Sequence, residues 1–377
     1  MNHILPPLWA VLETLDRGES LPAWWYTDPA VLDREMERIF RRSWQYVGPA
    51  AKLTHVGDYL TAQAGGIPVV VVRNPGGLAG FVNVCRHRRH EVMSGSGRAQ
   101  VLRCPYHAWT YDLEGGLKGA PGTGGEPGFD PGDFPLLPVR VGLLGPFVFV
   151  AANPEIAPVE TFYGSLLGTI AGCGLDLGSL VLHSREEWRS GANWKTLLEN
   201  YLECYHCPVA HPGFSAVVDV DRDRYGLSFQ DACLSQTAQA QPPRPDAGVY
   251  DGSGPITEAQ YHLAWPNFTL NLNPGLPNLS VDVWHPDGVR ATRGFTEQYF
   301  APGVPGAWAE ALIQFNRQVG EEDDRLTDSV QRGLAAGLPE TGRILPRRER
   351  LILQFQRRVA EAVCGQAPSV RTGARNG

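Results

Sequence analysis

The sequence predicts an α+β protein of two domains. Three observations lead to that prediction. At 377 residues the chain exceeds the roughly 100–200 residues usual for one domain. Its 43 Gly and 31 Pro make up about a fifth of it, against roughly 12% in average proteins, so turns are frequent and strands short. β-like runs fill 46–152 and recur over 225–300, while amphipathic helical patterns stand near the two ends. With 43% hydrophobic and 19% charged residues the chain can bury a core, which excludes a disordered polymer.

Residues 1–45 form an N-terminal segment that is helical in part. Asp28-Pro29 is a helix start, followed by Val31, Leu32, Met36, Ile39 and Phe40 at near-helical spacing. Over 46–152 the runs Pro68–Arg73, Gly80–Val84 and Pro146–Ala151 read as strands, separated by turns such as Asn74-Pro75-Gly76-Gly77. The Gly-rich piece Gly119–Gly128 is a loop. The remainder, 153–377, is mixed. Asn193 caps a helix that starts at Trp194 and carries Leu197, Leu198, Tyr201 and Leu202 on its apolar side. Strands follow at Phe268–Leu272, Leu279–Trp284 and Gly294–Phe300, and helices over about 307–335 and 346–363 close the chain.

A net charge of −7 argues against a nucleic-acid partner. The first residues lack a basic leader and a cleavage site, and no apolar run approaches the roughly 18 residues of a membrane span. Seven cysteines do not form a secreted disulfide pattern, so a reducing cytoplasm with free thiols is expected.

Four residues of two metal-binding types stand close together in the β segment, as Cys85-Arg86-His87 and Cys104-Pro105-Tyr106-His107. A lone cysteine or histidine is most often a packed core residue. Two Cys/His pairs with 16 residues between them point instead to one metal centre held between two loops. A tetrahedral zinc can use this set, and so can a [2Fe–2S] cluster with both cysteines on one iron and both histidines on the other.

A second constellation follows the Asn193 cap. At about 100° per residue along this helix, Glu199, Glu203 and His206 fall within about 60° of one another on one face. Pro208 disfavours a helical Cys207, so the chain can turn and bring His211 back towards His206. Two imidazoles and one carboxylate make the facial triad of a non-haem Fe(II) oxygenase. The plainer alternatives are satisfied histidines on a charged helix, or Cys204 and Cys207 as a redox pair, for which no thioredoxin-like surroundings exist. The carboxylate must come from elsewhere, and the acidic run Glu321-Glu322-Asp323-Asp324 offers one. Against an apolar stripe on Val319, Leu326, Val330 and Leu334, Asp323 lies within about 30° of the centre, Asp324 over about 100° away and Glu322 between them. Asp323 is therefore expected to point inward, where a carboxylate needs a partner.

Cys85-Arg86-His87-Arg88 and Arg103-Cys104-Pro105-Tyr106-His107-Ala108-Trp109-Thr110-Tyr111 resemble the two cluster loops of a Rieske domain. Family members often carry Gly where this chain has Arg89 and Ala108. The stretch from Glu199 to Pro212, with Asp323 and the residues after it, is similar to the iron site of Rieske non-haem iron oxygenase α subunits. The resemblance runs from about residue 24 to 360. It implies an all-β Rieske [2Fe–2S] domain ahead of a catalytic domain whose antiparallel sheet is flanked by helices in a helix-grip (START-like) fold. It also implies Cys85, His87, Cys104 and His107 as cluster ligands, and His206, His211 and Asp323 as ligands of a mononuclear Fe(II) that works with O₂. Imidazole ligation raises the cluster potential to roughly −150 to +300 mV, suited to accepting electrons from a lower-potential ferredoxin.

In this family three subunits form a ring, so a homotrimer is implied, with Glu203 hydrogen-bonding His206 and, across the interface, His107. Asn200 is a further supporting residue at the iron. The chain lacks a plant-type ferredoxin cysteine run and a dinucleotide fingerprint, since Gly122-x-Gly124 has no strand before it and no helix after it. NAD(P)H electrons are therefore expected through a separate reductase or ferredoxin. The pattern most resembles oxygenases of choline-, carnitine- or betaine-like quaternary ammonium compounds, which favour aromatic cages. Trp265, Phe268, Trp284, Tyr299 and Phe300 are the cage candidates. Ring hydroxylation by the same machinery and a zinc-stabilised binding protein are the alternatives.

Overall fold

The computed structural model describes residues 4–164, 166–242 and 249–365. The chain divides into two compact units, residues 39–162 and residues 1–38 with the chain from Tyr163 onward.

The first unit is built almost wholly of strands. Seven of them lie antiparallel in the order Gln45–Pro49, Phe147–Ala151, Pro138–Leu144, Gly77–Val82, Ile67–Asn74, Asp58–Ala64 and Ser96–Arg98. The valine run Val69–Val72 shows why the sequence folds this way, because side chains alternate across a strand. Val70 and Val72 pack with Cys85, Cys104, Trp109 and Tyr111, whereas Val69 and Val71 pack with Leu53, Val148 and Val150. Both faces of this strand are thus buried. A smaller sheet of Leu102–Arg103, Thr110–Tyr111 and Leu117–Gly119 carries the second Cys-His loop on its first hairpin.

The second unit is built on another seven-stranded sheet, in the order Val181–Ser190, Thr292–Phe300, Asn278–Pro286, Phe268–Leu272, Glu258–Ala264, Cys233–Gln239 and Gly226–Gln230. Every neighbouring pair is antiparallel. Trp188 pairs with Gly294, which pairs with Trp284, and Glu186, Thr296, Asp282 and Thr269 form the next row. A third row runs through Ser184, Gln298, Ser280 and Asn271. The helices Trp194–Tyr201 and Gly306–Ala336 cover this polar and aromatic face. That arrangement matches the expected antiparallel sheet with flanking helices.

The Trp194 helix is anchored at its start. Asn193 Oδ1 accepts from the Lys195 amide at 3.0 Å, as its capping preference predicts. Its amide nitrogen donates to the Tyr26 and Val289 carbonyls, and its backbone N–H donates to Gln331. Lys195 and Glu35 form a buried ion pair at 2.6 Å, with Trp194 donating to the second Glu35 oxygen.

Two sequence expectations are corrected here. The helix stops at Tyr201, so Glu199 does not share a face with Glu203 and His206. The Glu203 carboxylate accepts from the backbone N–H groups of Tyr205 and His206, a local turn that competes with helix continuation. Glu199 instead meets Tyr26 and Gln356 at 2.6 and 3.0 Å. The long helix Gly306–Ala336 also presents a different inward line. Leu326 and Val330 are 37% and 50% exposed, whereas Thr327 and Gln331 are buried. Polar side chains face inward because the element under this turn is the capped start of the Trp194 helix, whose Asn193 N–H needs the Gln331 carbonyl. Among the described residues, no helix is long and apolar enough to cross a membrane.

Candidate active site

The two Cys-His loops have the same backbone frame. The Cys85 N–H donates to the His90 carbonyl and the Arg89 N–H to the Cys85 carbonyl; Cys104 pairs likewise with Trp109 and Ala108. Each loop therefore turns on its fourth residue after the cysteine. Those residues, Arg89 and Ala108, have φ of +62° and +58°, the left-handed region that glycine enters without strain. The two Gly-for-other substitutions read from the sequence thus fall on the two turn positions, and the loops close regardless.

Cys85 and Cys104 are each only 2% exposed, while His87 and His107 lie at the surface. The imidazoles meet edge to face, 4.7 Å between centroids, and Trp109 stacks on His87. The Tyr111 hydroxyl lies 3.4 Å from Cys85 Sγ and accepts from the Arg86 N–H. Burial pushes the Cys104 thiol above its ordinary value, so metal loading must release its proton. Two buried sulfurs beneath two outward imidazoles fit a cluster whose histidine-bound iron faces the surface.

In the second unit, His206, His211 and Asp323 come together. Nε2 of His206 and Nε2 of His211 are 3.1 Å apart, and Asp323 Oδ1 lies 3.5 and 2.9 Å from them. Metal–ligand bonds of about 2.1 Å at right angles span about 3.0 Å between donors. The triangle therefore has the dimensions of one face of an octahedral ion, and all three residues line the cavity.

Each of the three has its own partner. Glu203 Oε1 is hydrogen-bonded to His206 Nδ1. Glu322 Oε2 sits 2.7 Å from His211 Nδ1. Asn200 Nδ2 donates to Asp323 Oδ1 at 2.6 Å. Burial acts to lower the His206 imidazole, but Asp323 and Glu203 outweigh it and raise it to about 9. Burial acts to raise Asp323, yet His206, His211 and Asn200 hold it at about 2. Both imidazoles keep Nε2 directed at the triangle's centre, as a metal site requires.

The sequence reading missed the Glu322–His211 contact, having weighed Glu322 only as a rival for the ligand position. Its signal was the neighbourhood of Asp323 itself, since adjacent helix residues can serve two atoms of one site. Cys204 and Cys207 are joined as a disulfide, which corrects the expectation that every thiol is free; the other five are. The pair closes the same turn that holds Glu203 and His206.

A cavity of about 730 Å³ opens beside the triad. Of the five aromatic candidates only Trp284 lines it. Trp265, Phe268, Tyr299 and Phe300 are buried in the core; strand alternation puts Phe268 and Tyr299 on the other face of the sheet, whereas Phe300 shares the cavity face but packs with Phe214, Leu312 and Phe315. The cavity's other aromatic rings come from Trp188, Tyr201, Phe214, Tyr225, Tyr261 and Phe315. Trp188 and Trp284 meet 4.8 Å apart, with Tyr201 6.4 Å from Trp284.

Residues 43–135 match the Rieske [2Fe-2S] domain family, and residues 177–365 match the ring hydroxylating alpha subunit (catalytic domain) family. The chain is 35% identical over 332 residues to the carnitine monooxygenase oxygenase subunit of Escherichia coli (strain K12), covering 86% of this chain and 87% of that one. It is 32% identical to the chloroplastic choline monooxygenase of Beta vulgaris, covering 89% and 75%. The quaternary ammonium Rieske monooxygenase CntA in complex with L-carnitine superposes with a TM-score of 0.81 at 30% identity, over 96% of this chain and 99% of that one. Naphthalene 1,2-dioxygenase from Rhodococcus sp. shares the fold at 19% identity and a TM-score of 0.81, over 96% and 98% of the two chains. The chain therefore belongs to the Rieske non-haem iron oxygenases, as an α subunit that combines a [2Fe–2S] cluster with a mononuclear iron, uses O₂ and receives NAD(P)H electrons through a reductase.

Proposed function

We propose that the chain is the oxygenase component of a monooxygenase that inserts one oxygen atom into a C–H bond of a small quaternary ammonium compound. The other oxygen atom leaves as water, with two electrons from the reductase and two protons. Where the hydroxylated carbon is an N-methyl group, the product falls apart to formaldehyde and a tertiary amine. The observation that carries this reading is the cavity itself, lined by the triad and by the Trp188, Trp284 and Tyr201 rings. Aromatic faces within about 6 Å hold a quaternary cation that cannot donate hydrogen bonds.

In this reading Cys85, His87, Cys104 and His107 bind the cluster, and His206, His211 and Asp323 bind the iron. Iron, when bound, supplies O₂ activation. The protein's own residues do the rest. Glu203 and Glu322 fix the imidazole tautomers, Asn200 fixes the free rotation of the Asp323 carboxylate, and the rings orient the substrate C–H bond and exclude water. Glu203 is also the proposed link to His107 of a neighbouring subunit in a homotrimer, and its place beside His206 at the turn supports that role.

The test is turnover by iron-loaded protein with a surrogate reductase, screening quaternary ammonium compounds under isotope-labelled O₂. A labelled alcohol, or formaldehyde with the demethylated amine, is expected. A cis-diol from an aromatic substrate, with no turnover of any ammonium compound, would replace this reading with ring dihydroxylation. Sedimentation should show a trimer.

A further inference from the structure

Asp282 lies on the cavity wall, in the middle of the row Glu186, Thr296, Asp282, Thr269. Thr296 donates to its Oδ1, and Thr269 and Asn271 donate to Oδ2 at 3.0 and 2.7 Å. All three donors are neutral, so they orient the carboxylate without cancelling its charge. Among the described residues no Lys, Arg or His pairs with it. The two arginines that line the cavity are each paired with another carboxylate. Arg185 pairs with Glu297 and lies over Phe295, on the opposite face of the sheet by strand alternation. Arg317 pairs with Glu186 at 2.8 Å.

A carboxylate removed from bulk water and left without a cation is costly. Here it stands one position along its own strand face from Trp284, whose indole meets that of Trp188 across Gly294. It is also tied to the iron site through one turn of helix. Tyr201 donates to Asn271 Oδ1 at 2.7 Å, and Asn271 donates to Asp282. The adjacent Asn200 donates to Asp323. Consecutive residues thus hold Asp323 and, through Asn271, Asp282 in fixed relation.

We propose that Asp282 is the counter-charge of the substrate's ammonium group and, with Trp188 and Trp284, the determinant that selects a cation over a neutral molecule of the same shape. This rests on the quaternary ammonium reading above and deepens it. The neutral donors keep Asp282 in place when the cavity is empty. The ammonium, once seated, replaces water against the carboxylate and the ring faces, and its distance from the triad is set by the Asn200–Tyr201 pair.

The proposal is tested by anaerobic calorimetry of the iron-loaded protein with choline and with its neutral carbon isostere, in which a tert-butyl group replaces the trimethylammonium. Wild type should bind choline about 30-fold tighter or more. Asp282→Asn should remove that preference while leaving the isostere's affinity unchanged. Equal loss for both ligands would make Asp282 structural, and no loss for either would remove it from the site; both outcomes overturn the proposal and leave the quaternary ammonium reading standing. A wild type that binds choline no better than the isostere overturns it without any variant. A wild type that binds no quaternary ammonium compound overturns both readings.

Discussion

Glu322 stands directly behind His211, with Oε2 2.7 Å from Nδ1, while Nε2 of the same ring lies 2.9 Å from Asp323 Oδ1. Neighbouring residues of one helix therefore grip both nitrogens of one imidazole. Without Glu322, the ring can take the other tautomer and turn Nε2–H towards the metal position. Glu322→Ala should weaken iron binding about 10- to 100-fold and leave the cluster intact. Iron retention against a graded chelator, with cluster absorbance as the internal control, measures this. Unchanged retention would reduce Glu322 to a surface carboxylate.

Glu203 makes the equivalent contact on His206 and also accepts from two backbone N–H groups of its turn. Glutamine can keep the acceptor oxygen but not the charge. Glu203→Gln is expected to keep both metals and lose most turnover, and single-turnover kinetics should show a cluster that is no longer oxidised when substrate and O₂ are added. Full activity in a metal-replete variant would take Glu203 out of electron transfer.

The Rieske loops yield a stability prediction. Ala108 occupies φ of +58°, where a side-chain-bearing residue costs about 1–2 kcal/mol, and glycine returns part of that through its own entropy of roughly 0.5–1 kcal/mol. Ala108→Gly should stabilise the holo protein by up to about 1 kcal/mol, and Arg89→Gly by a similar amount. The midpoint of denaturant unfolding, followed at the cluster absorbance, reads it. A lower midpoint for both would show that the strain argument fails here.

Local signals were legible in the sequence. The Asn193 cap, the strand Phe268–Leu272 and the two Cys-His loops depend on neighbours a few residues away, and the structure places all three where their local patterns point. What depends on register was not legible. Trp188 and Asp282 reach the cavity only because their strands pair in one register, while the equally aromatic Phe268 faces the core. Glu199 was misplaced because a turn built by Glu203 ended the helix early. Leu326 and Val330 looked like a core stripe, but the inward line of that helix is set by Asp323, Thr327 and Gln331, each hydrogen-bonded to something beneath or along it.

Glu199 gives a pH prediction. Burial raises it from the ordinary 4.5 to about 7, although Tyr26 and Gln356 partly counter this. The unfolded chain loses this proton near 4.5 and the folded protein near 7. Between those values the unfolded state binds fewer protons, so stability falls as pH rises through the window and stays lower above it. The difference is worth roughly 3 kcal/mol. Glu199→Gln should therefore flatten the profile, gaining on wild type from pH 5 to pH 8 in urea titrations. Parallel wild-type and variant profiles would place the Glu199 proton elsewhere.

The last prediction concerns Gly294, which lies between Trp188 and Trp284 in the sheet. A Cβ there would sit 2.2 Å from Trp188 Cζ2 and 2.1 Å from the Val283 carbonyl oxygen. The indole can swing aside, but the carbonyl belongs to the adjoining strand and cannot. Gly294→Ala should therefore cost about 1–3 kcal/mol of stability, as overpacked sites do, and separate the two indoles that wall the cavity. We expect substrate KM to rise more than about tenfold, a shift worth about 1.4 kcal/mol, with iron and cluster contents unchanged. Near-ultraviolet circular dichroism should lose the signal of the coupled indole pair. Gly333→Ala is the control, because its Cβ meets nothing within 4 Å and alanine favours a helix by about 1 kcal/mol over glycine; KM should not move. If Gly294→Ala left KM and the indole signal at wild-type values, the Trp188–Trp284 wall would not be part of the substrate site.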